Sequence, residues 1–295
     1  MISGSGDFEA DYESNFHGVE TVSDPFIRPY PGYDNAAQAA STTAHVSRLR
    51  QELADKIPDS LTGLDVASIK DYIDSTGLPR KDFMVLDPGD AAIYDNIVTK
   101  YGWPAYPKSN GNTYTYGTTP AGLGLAVVVR DPVSEAIHGS TFTEAMVVHE
   151  LGHASSDWNE WSITRRGDDR ILTTRRAGQI LIAQDSGADV PRYHEYLEEG
   201  FAAMLAADYV ESNGRSLHYR TYADIAADGL RLLTKQEPEL ANALKQGRSN
   251  VEGLRQVPKI LNSVIPGLYQ DLKNIRYNEK EFQLATDYIE EYLAS

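Results

Sequence analysis

Thr141-Phe142-Thr143-Glu144-Ala145-Met146-Val147-Val148-His149-Glu150-Leu151-Gly152-His153-Ala154-Ser155 is the stretch that decides how the rest of the chain is read. It reads as a helix. Thr141 and Glu144 have the T-x-x-E form of a capping box, and an apolar stretch, Ala145 to Val148, follows. Residues four apart share a helix face, so His149 and His153 point the same way. Two imidazoles so placed can bind one zinc ion, with Glu150 beside them to activate a water. The plainer alternative is a buried helix whose two histidines only hydrogen-bond.

Composition narrows the chemistry. The chain has 295 residues and a hydrophobic fraction of 41%, enough to bury one large core or two packed lobes. Cysteine is absent, so a zinc site must use His, Asp or Glu, a donor set commoner at open catalytic sites than at closed structural ones. The net charge is −16, from 43 acidic against 27 basic residues. Such a surface repels phosphate backbones and anionic bilayers, which sets nucleic acid and membranes aside as partners. No apolar run reaches the roughly 18 residues of a spanning helix. Met1 to Asp7 has neither a basic nor an apolar signal region, so a cytoplasmic setting is favoured.

Three regions are expected. Residues 1–38 are acidic and rich in Gly, Ser and Pro without periodicity, and read as a flexible arm. Residues 39–158 carry a helix with Val46, Leu49 and Leu53 on one stripe, a second helix over Val66–Ser75 ended by Gly77 and Pro79, and a buried strand at Phe83–Leu86. A helix over Asp90–Tyr101 comes next. Asn112–Tyr116 and Leu123–Arg130 pair as a hairpin across Gly117–Gly122, and a short loop leads into the His149 helix. Residues 159–295 begin with an Arg-rich hairpin around Gly167-Asp168-Asp169 and a third strand at Ile180–Ala183. From Arg192 onward the pattern is helical, over about 192–211, 221–236, 238–247, 250–263, 267–276 and 278–293.

A catalytic zinc takes three protein ligands and keeps one position for water. A third His six residues beyond His153 is ruled out, because that position is Asn159 and the preceding Gly position is Ser156. Carboxylates on a second helix are the next candidates: Glu195, Glu198 and Glu199. Tyr196-Leu197-Glu198-Glu199-Gly200-Phe201-Ala202, taken with the His149–His153 motif, resembles the gluzincin metallopeptidases. The likeness is to the aminopeptidase-N-like group, whose second helix reads W-L-N-E-G-F-A. Tyr196 stands for the Trp, Glu198 for the Asn, and Glu199 falls on the zinc-binding Glu. The resemblance implies that His149, His153 and Glu199 bind one Zn2+ with Glu150 as general base. It implies an α+β, zincin-like fold: a small mixed or antiparallel sheet over the His149 helix, then a mostly helical C-terminal lobe carrying the third ligand.

The chain departs from that family in spacing and in one motif. His153 and Glu199 stand 46 positions apart, against about twenty in the family; the Arg-rich hairpin accounts for the excess. The G-x-M-E-N type of amino-terminus-binding motif is missing, and Gly122-Leu123-Gly124-Leu125-Ala126 stands instead.

The expected activity is hydrolysis of a peptide or protein substrate by a zinc-activated water, with Glu150 as base and a Tyr or His stabilising the oxyanion. His218, Tyr219 and Tyr222 are candidates, and Tyr222, behind a Thr221 cap, is preferred. Leu123–Arg130 is expected to serve as an edge strand on which a peptide aligns. Arg165, Arg166, Arg170, Arg175 and Arg176 offer carboxylate binding or a solvated hairpin. The alternative function is a non-catalytic zincin-fold protein holding a peptide or partner in the cleft.

Overall fold

Leu125-Ala126-Val127-Val128-Val129, an unbroken apolar run, is the strand around which the N-terminal half is built. The computed structural model describes residues 22–23, 47–58, 60–100, 116–118, 125–155, 159–166, 170–177, 180–185, 192–217, 221–248 and 251–295. In chain order these give β1 (Val22–Ser23), α1 (helical over 47–56), α2 (Val66–Thr76), β2 (Asp82–Leu86), α3 (Ala91–Lys100), β3 (Tyr116–Thr118) and β4 (Leu125–Val129). Next come α4 (Pro132–His138), α5 (Ser140–Ala154), β5 (Asn159–Arg166), β6 (Arg170–Ala177), β7 (Ile180–Asp185) and β8 (Arg192–Tyr193). The C-terminal half is α6 (Glu195–Ser212), α7 (Tyr222–Gln236), α8 (Glu239–Gln246), α9 (Val251–Val264), α10 (Leu268–Lys273) and α11 (Glu279–Ala294). The class is α+β, with helix predominating.

β4 pairs in parallel with β2 and antiparallel with β3, so it is the central strand of a mixed three-stranded sheet. Successive side chains of a strand point to opposite faces. Leu125, Val127 and Val129 pack with Leu49, Leu53, Tyr94, Ile97 and Val98 from α1 and α3. Ala126 and Val128 face the other way, into the cluster that holds Val147, Val148 and Leu151 of α5. Burial on both faces is why β4 is apolar at every position. The expectation of an edge strand fails for a different reason: β4 is hydrogen-bonded to β2 along its length and to β3 at Val127, Val128 and Val129. The hairpin partner is present but lies at Tyr116–Thr118, so Gly117 is in the strand rather than the turn.

The approach to α5 also differs from the sequence reading. Residues 132–138 are helical, not a loop. Asp131 caps α4 by accepting from Val133 N at 3.0 Å, and Pro132 occupies the first turn. Gly139, at φ 68°, then turns the chain directly into α5. The capping box of Thr141 and Glu144 does not form. Glu144 is buried, and its carboxylate accepts instead from Asp65 N (3.1 Å), the Tyr209 hydroxyl (2.8 Å) and Arg215 Nη1 (2.7 Å). This fastens the start of α5 to the N-cap of α2 and to the far end of α6.

Between α5 and α6 runs an antiparallel ribbon, β5-β6-β7-β8. Val22–Ser23, from the expected N-terminal arm, joins it by pairing with Trp161 and Glu160 of β5. The five arginines singled out from the sequence lie on β5 and β6, with Arg166 opposite Arg170 and Arg175 opposite Trp161. The remaining residues of 1–38 lie outside the described residues.

The C-terminal helices follow the sequence reading to within a few residues at each end. Small residues then set how closely they approach. A Cβ on Gly200 of α6 would sit 3.0 Å from the Ala226 carbonyl carbon and 2.9 Å from Leu230 Cδ1 of α7. Gly229 makes room for Tyr196, whose buried hydroxyl donates to Thr286 of α11 at 2.7 Å.

Candidate metal centre

The HExxH helix is carried by the sheet. Val147, Val148 and Leu151 bury one flank of α5 under β4, which leaves His149 and His153 on the flank that meets α6. There the two helices nearly touch: a Cβ on Gly152 would meet Ala202 Cα at 3.2 Å and Leu205 Cδ1 at 3.2 Å. Glu199, one turn before Ala202, is thereby brought against both imidazoles.

His149 Nε2 lies 3.2 Å from His153 Nε2, and Glu199 Oε2 lies 3.4 Å and 3.5 Å from these two nitrogens. A tetrahedral ion with bonds of about 2.0–2.1 Å has ligand-to-ligand edges of about 3.3–3.4 Å. The three atoms therefore have the spacing of one face of such a tetrahedron, and the group could hold a metal ion. All three side chains keep a fraction of their surface exposed, between 12% and 20%, so the group opens to solvent on one side. Glu150 is buried beside them.

A second layer lies behind His153. Its Nδ1 donates to Glu198 Oε1 at 2.9 Å. In the neutral imidazole that contact would keep the ring proton on Nδ1 and turn the Nε2 lone pair toward His149 and Glu199. Glu198 also accepts from Nη1 of Arg248, a fully buried residue whose guanidinium stacks 4.5 Å over the Phe201 ring.

Charge is concentrated here. Burial alone would lower the His153 pKa. The charge of Glu199, hydrogen bonds to Glu198 and Glu199, and the charge of Glu150 outweigh it and push the imidazole well above its ordinary value. Burial would likewise raise Glu199, but the two histidines hold its carboxyl far below the usual carboxylate range. A dication that displaced the His153 proton would meet three carboxylates, Glu150, Glu198 and Glu199, and one guanidinium, Arg248, and would balance their net charge.

Tyr222 is the first residue of α7, behind Thr221, whose hydroxyl and backbone exchange hydrogen bonds with Asp224 in a formed capping box. Its ring meets that of Tyr277 with centroids 6.0 Å apart. Tyr277 precedes α11, and its backbone N–H donates to Glu195 Oε2 at 3.0 Å, one helical turn from Glu199 on the same face of α6. Burial, then the charges of Glu199 and Glu150, push the Tyr277 phenol up. His218 and Tyr219 lie outside the described residues.

Arg248 and Tyr277 were not found from the sequence. Arg248 follows the short helix α8 and reads locally as a C-terminal turn residue. Tyr277 is one of 18 tyrosines. Neither has a sequence neighbour in the centre, so no periodicity pointed to them.

No protein-family model, curated protein or solved structure matches the chain.

Proposed function

We propose that this protein is a zinc-dependent peptidase of gluzincin type on a zincin-like fold, with His149, His153 and Glu199 as ligands of one zinc ion and Glu150 as general base. The observation that carries the proposal is the 3.2–3.5 Å triangle of Nε2, Nε2 and Oε2 atoms beside a buried Glu150. A glutamate is the residue that a hydrolytic centre needs next to its ligands and that a purely structural centre does not.

A bound zinc ion supplies Lewis acidity and lowers the pKa of water from about 16 to about 7. Glu150 accepts a proton from the attacking water as its oxygen bonds to the scissile carbonyl carbon. It returns that proton to the amine nitrogen as the C–N bond breaks, giving a carboxylic acid and a free amine. The developing negative charge on the carbonyl oxygen calls for a hydrogen-bond donor from the protein. The Tyr222–Tyr277 pair supplies the phenols, Tyr277 being the one within the field of Glu150 and Glu199. The substrate is a peptide or protein segment entering from the exposed side of the triad.

The test measures zinc content and cleavage of casein and of a peptide library by wild type and Glu150→Gln. One zinc per chain in both, with turnover reduced about 10²–10⁴-fold in the variant, is expected. A wild type that takes up no zinc, or a variant that cleaves as fast as wild type, defeats the proposal. In the second case Glu150 is not the base; a wild type that takes up zinc but cleaves nothing would make the cleft a binding site rather than a catalytic one.

A further inference from the structure

Arg248 is the largest fully buried side chain in the described residues, and it is a charged one. Burying an ion pair seldom stabilises a fold; apolar replacements of the same volume are often neutral or better. This pair is also incompletely satisfied. Nε and Nη2 of Arg248 find no hydrogen-bond acceptor among the described residues, and the ring of Phe201 covers the guanidinium face. What Arg248 does contact is Glu198, and what Glu198 contacts is the Nδ1 of His153. The chain Arg248–Glu198–His153 thus runs from a turn fifty residues beyond Glu198 to the metal-facing lone pair.

We infer that Arg248, acting through Glu198, is a positioning residue that sets how tightly the centre holds its dication. The inference rests on the reading of His149, His153 and Glu199 as metal ligands. Glu198 fixes the tautomer and ring angle of His153 and makes Nε2 a stronger donor. Arg248 holds that carboxylate stationary. Without the guanidinium, the Glu198 carboxylate loses the buried partner that orients it toward His153 and can turn away. Such a turn removes the partner that holds the His153 ring. The gluzincin pattern has Asn where Glu198 stands, so this charged arrangement belongs to this chain rather than to the resemblance.

The experiment is zinc affinity by competition with a chromogenic chelator, together with thermal melting of the metal-free protein. It compares wild type, Arg248→Lys, Glu198→Gln and the double variant Arg248→Met with Glu198→Gln. The double variant removes both charges and leaves an acceptor for Nδ1–H. It is expected to bind zinc about 10–100-fold more weakly while the metal-free protein melts as wild type does or higher. Arg248→Lys, which keeps the charge, is expected to recover most of the affinity. If the double variant does not fold, the isosteric Glu198→Gln decides by affinity alone. Unchanged zinc affinity in a folded Glu198→Gln or double variant overturns the inference. A wild type that binds no zinc defeats the metal reading itself, a distinct result.

Discussion

Gly152 of α5 faces Ala202 of α6 so closely that a Cβ on the glycine would stand 3.2 Å from the Ala202 Cα. This contact sets the distance between the helix that carries His149 and His153 and the helix that carries Glu199. Helix packing, rather than the ribbon joining α5 to α6, therefore fixes the triad.

A larger side chain at residue 152 is expected to act first on the metal. Gly152→Val must push α6 away, at a cost of about 1–3 kcal/mol from overpacking. Melting should fall accordingly. Zinc content should fall further than stability alone explains, because Glu199 moves with α6. A variant that melts lower yet binds zinc as tightly as wild type would show that the helix spacing does not set the ligand geometry.

Zinc is expected to stabilise the fold through mass action. At a hundredfold excess over Kd the gain is about 2.7 kcal/mol, several degrees of melting temperature for a chain of this size at about 2–4 °C per kcal/mol. Glu199→Ala should abolish the shift. Equal shifts in wild type and Glu199→Ala would place the binding site elsewhere.

Of the two phenols at the mouth, Tyr277 is expected to matter more for turnover. Tyr277→Phe should lower kcat by about 10²–10³ if it donates to the oxyanion, with KM and zinc content little changed. Tyr222→Phe removes a hydroxyl but keeps the ring that packs on Tyr277, and should cost less than about tenfold. The reverse order in kcat would assign the hydrogen bond to Tyr222.

Acid should loosen the start of α5. Burial pushes the Glu144 carboxyl up, but the Asp65 N–H, the Tyr209 hydroxyl, the Arg215 guanidinium and Ser140 outweigh it and hold it below its ordinary range. A depressed folded pKa means that its stabilisation is complete above the unfolded value, about 4.3, and is lost as pH falls through the lower folded value. Glu144→Gln should therefore cost about 1–3 kcal/mol at neutral pH and progressively less below pH 4.3. Denaturant melts of both proteins from pH 7 to pH 3 would show it; a difference independent of pH would exclude the linkage.

Most helices other than α4 were legible in the sequence through local signals. Leu49 and Leu53 form a buried stripe, Gly77 closes α2 at φ 74°, and Thr221 caps α7 as expected. The pair His149 and His153 is local in the same sense. What escaped was decided between distant segments. Glu144 has the letter of a capping box, yet three donors from α2, α6 and the chain after α6 claim its carboxylate. The stretch before the His149 helix reads as a short loop, yet Asp131 and Pro132 start a helix there. The interior place of β4 depends on β2, some forty residues upstream, and no local pattern separates a central strand from an edge strand when both are apolar.

The place of Arg248 in the chain also has a consequence in time. During synthesis His149, His153 and Glu199 leave the ribosome well before Arg248 and Tyr277. A nascent chain that already displays these three residues still lacks the cation that steadies Glu198 and the backbone N–H of Tyr277 that holds Glu195. The centre becomes whole only when residues 248 and 277 have also emerged and folded back onto α6. A centre built in that order is incomplete while His149, His153 and Glu199 are its only parts outside the ribosome.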